Sequence, residues 1–219
     1  MKDFRLAIIN TGAANIHSVE KAVRIVGGDP VVTTSADVIA DAHAAILPGV
    51  GANDAVMKQL NDRELPDTIR EFAASGRPLL CVCLGMQILF ERSEEGELPG
   101  LGVLGGEVVR LPNGISGSSG LPLKIPHMGW NTVHFKDQSV QRHPIFADIP
   151  QDTYFYFVHS YHCEVENARD VAATSPHGID VCAAVVRGNI VGTQFHPEKS
   201  GRSGLGIYAK FLEYSQSLT

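Results

Sequence analysis

The sequence has no dense run of lysine and arginine, no apolar stretch of membrane-spanning length and no Cys-X-X-Cys pair. Its net charge of −6 offers no electrostatic footprint for a polyanion, so nucleic acid is not an expected partner. Without about 20 consecutive apolar residues there is no bilayer-crossing helix, and a membrane is not expected either. Met1-Lys2-Asp3-Phe4-Arg5-Leu6 reads as a short charged lead into a strand rather than a secretory signal, which predicts a cytoplasmic location. The four cysteines, at 81, 83, 163 and 182, are scattered in a way that suits free thiols better than a disulfide framework. Charged residues are only 19% of the chain. With 44% hydrophobic content over 219 residues, this predicts one α/β core, a single domain over 1–219.

What is present begins with Leu6-Ala7-Ile8-Ile9, an apolar run expected to be a buried parallel strand, and the loop Asn10-Thr11-Gly12-Ala13-Ala14. Asn15 is placed to cap a helix with Ile16, Val19, Val23 and Val26 on one face, ending at Gly27-Gly28. Val31–Thr34 and Ala44–Leu47 supply further strands of a doubly wound sheet, whose ligands bind beyond the carboxyl ends of the strands. After the third strand, Pro48-Gly49-Val50-Gly51 carries glycines that let amide N–H groups turn toward a reacting carbonyl oxygen, although the same letters also make an ordinary turn.

Pro78-Leu79-Leu80-Cys81-Val82-Cys83-Leu84-Gly85-Met86-Gln87 is an apolar run that breaks at a cysteine and resumes with helical spacing. A strand turning sharply into a helix would expose Cys83 at the corner, with a helix N-terminus behind the thiol and a backbone N–H beside it. Taken alone, such a cysteine is commonly just core. Met86, Ile88, Leu89 and Phe90 are expected to continue the helix up to Glu91–Glu97, read as a solvated helix end and loop. Gly106–Leu111 is strand-like, and Pro112–Gly120 reads as a flexible surface loop inside the domain.

Pro126-His127-Met128-Gly129-Trp130-Asn131 places the only tryptophan in a loop, as either core or interface anchor. Tyr154–His162 reads as one aromatic strand, in which His159 and His162 face opposite ways and serve packing or surface roles. Antiparallel strands follow at Val171–Thr174, Val181–Val186 and Ile190–Gln194, the last two joined by a Gly188-Asn189 turn. In Phe195-His196-Pro197-Glu198, an extended backbone would put His196 and Glu198 on one side, where the carboxylate can fix the imidazole tautomer while the other ring nitrogen addresses a thiol. HPE by itself can also be a plain strand end. A helix over Leu205–Leu212 closes the pattern.

Together, Pro48–Gly51, Cys83-Leu84-Gly85-Met86-Gln87 and His196-Pro197-Glu198 resemble the motifs of the class I (triad) glutamine amidotransferases, nearly end to end. The resemblance implies a flavodoxin-like three-layer α/β fold with a mostly parallel central sheet and an antiparallel extension. It implies Cys83, His196 and Glu198 as catalytic residues, backbone amides of Val50, Gly51 and Leu84 at an oxyanion, and Gln87 with Gly51 holding L-glutamine. No metal and no cofactor is implied. Within the family, PHMGWN, Tyr156–Tyr161 and Gln194–Ser200 resemble the branch whose glutaminases serve imidazole glycerol phosphate synthesis, in histidine biosynthesis. That branch implies a heterodimer with a (β/α)8-barrel cyclase subunit that receives the ammonia, with Trp130, Asn131 and Lys199 on the partner-facing surface. Two departures stand out. Cys81 occupies a position usually held by glycine, predicting strain at the corner, and Asn10, Thr11 and Ala14 replace the usual aspartate, tyrosine and glycine of the first loop.

Overall fold

Five apolar segments line up as parallel strands in the computed structural model, which describes residues 4–12, 15–117, 120–136 and 142–219. The lead at 1–3, Ala13 and Ala14 of the first loop and Ser118 and Ser119 of the 112–120 stretch lie outside the described residues. In chain order the first half reads β1 (Leu6–Ile9), α1 (Ile16–Ile25), β2 (Pro30–Thr33), α2 (Ala36–Asp41), β3 (Ala44–Gly49), α3 (Asn53–Asn61), α4 (Leu65–Ala74), β4 (Leu79–Cys83) and α5 (Leu84–Gln87). The second half adds β5 (Arg92–Ser93), β6 (Gly106–Arg110), β7 (His127–Phe135), β8 (Thr153–His159), β9 (Tyr161–Val165), β10 (Val171–Pro176), β11 (Asp180–Arg187), β12 (Ile190–Thr193) and α6 (Gly201–Ser217).

The nine-stranded sheet has the order β2-β1-β3-β4-β12-β11-β10-β7-β8. Its first five strands are parallel, the 2-1-3-4-5 order of a flavodoxin-like sheet, and the remaining four run antiparallel. A small sheet, β5-β6-β9, packs beside it. Because both faces of β1, β3 and β4 are covered, these three strands are buried throughout and their side chains divide by alternation. Leu79 and Cys81 join the core under α2, α3 and α4, with Ile39, Met57, Leu60 and Phe72. Leu80 and Val82 join the opposite core under α1 and α6, with Val19, Val23, Ile207 and Phe211. No helix among the described residues is long and apolar enough to cross a membrane.

Five local expectations are corrected. Asn15 stands at the N-cap of α1 but makes no side-chain cap; its carbonyl accepts from Ser18 and Val19, and the residue also lines a cleft. α1 does end at Gly27, whose φ of +91 suits only glycine comfortably. Trp130 lies in a strand, β7, not a loop, and the aromatic run is two strands in different sheets, broken at Ser160. The helix after Cys83 is a single turn. The Ile88, Leu89 and Phe90 carbonyls accept from the N–H groups of Leu101, Val103, Leu104 and Gly102, so these backbone groups are satisfied without continuing the helix. The acidic stretch beyond is organised, not merely solvated: Glu95 accepts from Asn53 N–H, Glu94 from Arg110 N–H, and Asp54 from Glu97 and Leu98 N–H.

Candidate active site

Cys83 ends β4 with φ +53 and ψ −113, a conformation that L-residues rarely adopt. By alternation its side chain would follow Leu79 and Cys81, but the reversed torsion moves it into the opposite core with Leu80 and Val82. Cys83 is the one β4 residue with positive φ, and Cys81 keeps the regular strand pairing with Leu47 and Gly192. Close approach of two backbones holds the corner. Gly49 pairs with Cys83 across β3 and β4, and a Cβ on Gly85 would lie 1.9 Å from the Leu47 carbonyl oxygen. A Cβ on Gly49 would in turn meet Gly85 N at 2.6 Å. Thr11 ties the first loop to the same place, its hydroxyl donating to the Pro48 carbonyl at 3.3 Å.

His196 and Glu198 follow β12. The His196 N–H donates to the Tyr156 carbonyl, fixing this segment on β8. Pro197–Lys199 is a 3-10 turn, so the two side chains meet through a tight turn rather than through the extended alternation expected. His196 Nδ1 lies 2.8 Å from Glu198 Oε1, and both side chains are almost wholly out of water, 1% and 2% exposed. Ser200 locks the turn, donating to the His196 carbonyl at 2.7 Å and accepting from Tyr156 N–H at 2.9 Å. Burial alone would lower the His196 pKa, but negative charge at Cys83 and Glu198 outweighs it and takes the imidazole up to about 10. Nδ1 of this ring faces the carboxylate, while Nε2 is buried without a hydrogen-bond partner, free to address a thiol or substrate.

Cys83, Leu84, Val50, Gly51, Gln87, His196 and Lys199 all line one cleft of about 400 Å³. Two lining or adjoining residues were not singled out by sequence. Gln194 Nε2 donates to the Cys83 sulfur at 3.6 Å, and its Oε1 accepts from Gln87 at 2.9 Å. A glutamine directly after β12, between Thr193 and Phe195, was the available signal. Glu95 lines the cleft half-buried, and burial raises its carboxyl despite the Asn53 N–H. Gln87 spends both amide hydrogens on protein, on Gln194 and on the Tyr161 carbonyl.

Beyond the cleft, Trp130 is 56% exposed, against the edge of Tyr156, so the core reading of this residue fails. Lys199 Nζ sits 5.6 Å from the Tyr156 ring centroid, while half-buried Asn131 donates its amide to the Pro176 carbonyl at 2.7 Å.

Known proteins that this chain is similar to agree with one another. The family "Glutamine amidotransferase class-I" matches residues 3–213. The "Imidazole glycerol phosphate synthase subunit HisH" of Methylococcus capsulatus is 46% identical over 212 residues, 95% of this chain and 96% of that one. The protein of that name from Methanosarcina acetivorans is 43% identical, over 95% of this chain and 98% of its own. Among solved structures, one described as "Crystal structure of glutamine amidotransferase" superposes with a TM-score of 0.71 at 17% identity, covering 96% of this chain and 98% of that chain. A glutamine amidotransferase from Thermotoga maritima gives 0.68 at 17%, over 98% and 99%. The last two speak to the fold, whose parallel sheet and antiparallel extension they share. The chain belongs to the class I glutamine amidotransferases.

Proposed function

We propose that this chain, acting as one domain over 1–219, is the glutaminase subunit of an imidazole glycerol phosphate synthase. The observation that carries the chemistry is the buried His196–Glu198 pair, 2.8 Å apart, whose imidazole lines one cleft with Cys83. Cys83 sulfur attacks the side-chain amide carbon of L-glutamine, its proton having passed to His196. The carbonyl electrons move onto oxygen, where backbone amides of Val50, Gly51 and Leu84 offset the new charge. His196 then gives its proton to the amide nitrogen, the C–N bond breaks and ammonia leaves, with a γ-glutamyl thioester on Cys83. Water, deprotonated by His196, cleaves the thioester to glutamate and restores the thiol. Glu198 holds the imidazole tautomer throughout, and Glu95, in the lining of the same cleft, supplies a carboxylate for the substrate ammonium.

The partner is a (β/α)8-barrel cyclase subunit that takes the ammonia and makes imidazole glycerol phosphate and an aminoimidazole carboxamide ribonucleotide. Exposed Met128, Trp130 and Tyr154 on β7 and β8, beside Lys199, form the docking face, because large apolar side chains left in water favour a protein surface. Four free, buried cysteines fit a reducing, cytoplasmic setting.

The test is glutamate release from glutamine with and without the barrel partner and its nucleotide, in wild type and Cys83→Ala. The variant is expected to lose glutamine-dependent synthesis and keep synthesis from ammonium salts. Glutamine use surviving in Cys83→Ala would overturn the nucleophile assignment.

A further inference from the structure

Between the exposed β7 face and the cleft runs a string of polar side chains, half-buried at Asn131 and buried beyond it, that the reaction steps do not use. Asn131 Nδ2 stands 3.1 Å from His127 Nε2, His127 Nδ1 stands 3.0 Å from His159 Nε2, and His159 Nδ1 stands 2.8 Å from the Tyr161 carbonyl oxygen. That oxygen also accepts from Gln87, which donates to Gln194, which donates to the Cys83 sulfur. The two histidines are 4% and 7% exposed.

Hydrogen-bond direction is forced from both ends. Thr132 N–H donates to Asn131 Oδ1 at 2.9 Å, so the Asn131 amide nitrogen faces Pro176 and His127, and His127 Nε2 must accept. The His127 proton therefore sits on Nδ1 and goes to His159 Nε2. The His159 proton then sits on Nδ1 and goes to a carbonyl, which can only accept. Both rings are neutral Nδ1–H tautomers, and a second proton on either would set donor against donor. Their surroundings agree. Burial and then His177, stacked 4.1 Å away, draw His127 down to about 4. Burial and then His127 and His162 draw His159 down to about 3, against the pull of the Tyr161 carbonyl.

We propose that His127 and His159 are positioning residues of the glutaminase: they fix the Tyr161 carbonyl, through it Gln87 and Gln194, and so tie the setting of the Cys83 sulfur to Asn131 on the strand that carries Trp130. The proposal rests on the glutaminase reading above. It assigns the rings no proton transfer, only two runs of donors that share the Tyr161 carbonyl: one from Asn131 through the rings ends on it, and one from Gln87, which also donates to it, ends on the nucleophile.

The test has two arms. In the wild-type chain, ring 15N shifts of His127 and His159 are expected to report Nδ1–H for both; an Nε2–H tautomer at either would overturn the proposal whatever the activity. In the complex with the barrel partner, His159→Phe keeps the ring volume but loses both bonds, and is expected to lower glutaminase kcat roughly 10- to 100-fold. His159→Asn keeps a donor near the Tyr161 carbonyl and is expected to recover part of that loss, with ammonia-dependent synthesis unchanged in both. Equal kcat in wild type, His159→Phe and His127→Phe would sink the idea. Should His159→Phe fail to fold, His127→Asn, which keeps the donor toward His159, against His127→Phe makes the same comparison. A wild-type complex that hydrolyses no glutamine would instead reject the glutaminase reading, while the tautomers still decide the line of hydrogen bonds.

Discussion

Gly85 and Leu47 approach so closely that the first carbon of any side chain on Gly85 would lie 1.9 Å from the Leu47 carbonyl oxygen. Gly85→Ala therefore has to push apart β3 and the turn after Cys83. The expected result is a loss of about 1–3 kcal/mol in stability together with loss of glutaminase turnover. Thermal unfolding and glutamate release on the same preparation check it; an unchanged melting temperature would contradict the contact.

Gly51 offers the opposite case. Nothing lies within 4 Å of a Cβ there, but φ is +98. Gly51→Ala is expected to lose only about 1–2 kcal/mol, while turnover falls because the amides at the cleft change direction. A variant with wild-type kcat would remove Gly51 from the proposed oxyanion site.

Glu198→Gln removes the negative charge that helps hold a proton on His196. Turnover is expected to drop about 100-fold or more with the fold intact, since the orienting charge and the tautomer are both lost. Steady-state kinetics beside a circular dichroism spectrum would expose the error if kcat held.

Gln194→Leu leaves the Gln87 amide without its buried acceptor and the Cys83 sulfur without its donor. A fall in kcat is expected, with about 1–3 kcal/mol of stability lost for the unpaired group. Parallel measurement of Gln87→Leu shows whether the two act as one unit: the double variant should then lose less than the sum of the single losses.

Acid lability follows from buried His127 and His159 and half-buried His143. His127 and His143 are drawn down to about 4 and His159 to about 3, in each case chiefly by burial. As pH falls from about 6.5, the unfolded chain takes up protons that the folded chain refuses, so stability decreases until the folded rings themselves titrate near 4 to 3. Unfolding at pH 5 should take up about one proton for each of these rings. A melting temperature that did not fall between pH 7 and pH 5 would be inconsistent with these burials.

Much of the parallel half was legible in the sequence, because β1, β3 and β4 are short apolar runs and each is followed by a glycine or polar break that physics treats as a turn. The corner at Cys83 and the meeting of His196 with Glu198 were legible for the same reason, being local. What was misread depends on partners far along the chain. Helical spacing past Gln87 gave way because the 101–104 backbone satisfies the carbonyls of 88–90. Trp130 is in a strand because β7 pairs with β8, and no local pattern announces that register. Gln194 and Glu95 came to the cleft by tertiary placement, Gln194 beside a sulfur 111 positions away.

The reversed torsion at Cys83 has a consequence for redesign. It works like a parity switch: strand periodicity would have delivered the sulfur among α3 and α4, yet the acid that orients His196 is backed by α6, on the reverse of the sheet, where Tyr208 donates to it at 3.4 Å. Transplanting the nucleophile to a neighbouring position, or ironing the corner into regular strand, would leave every group of the triad present and the reagents on opposite sides of a wall.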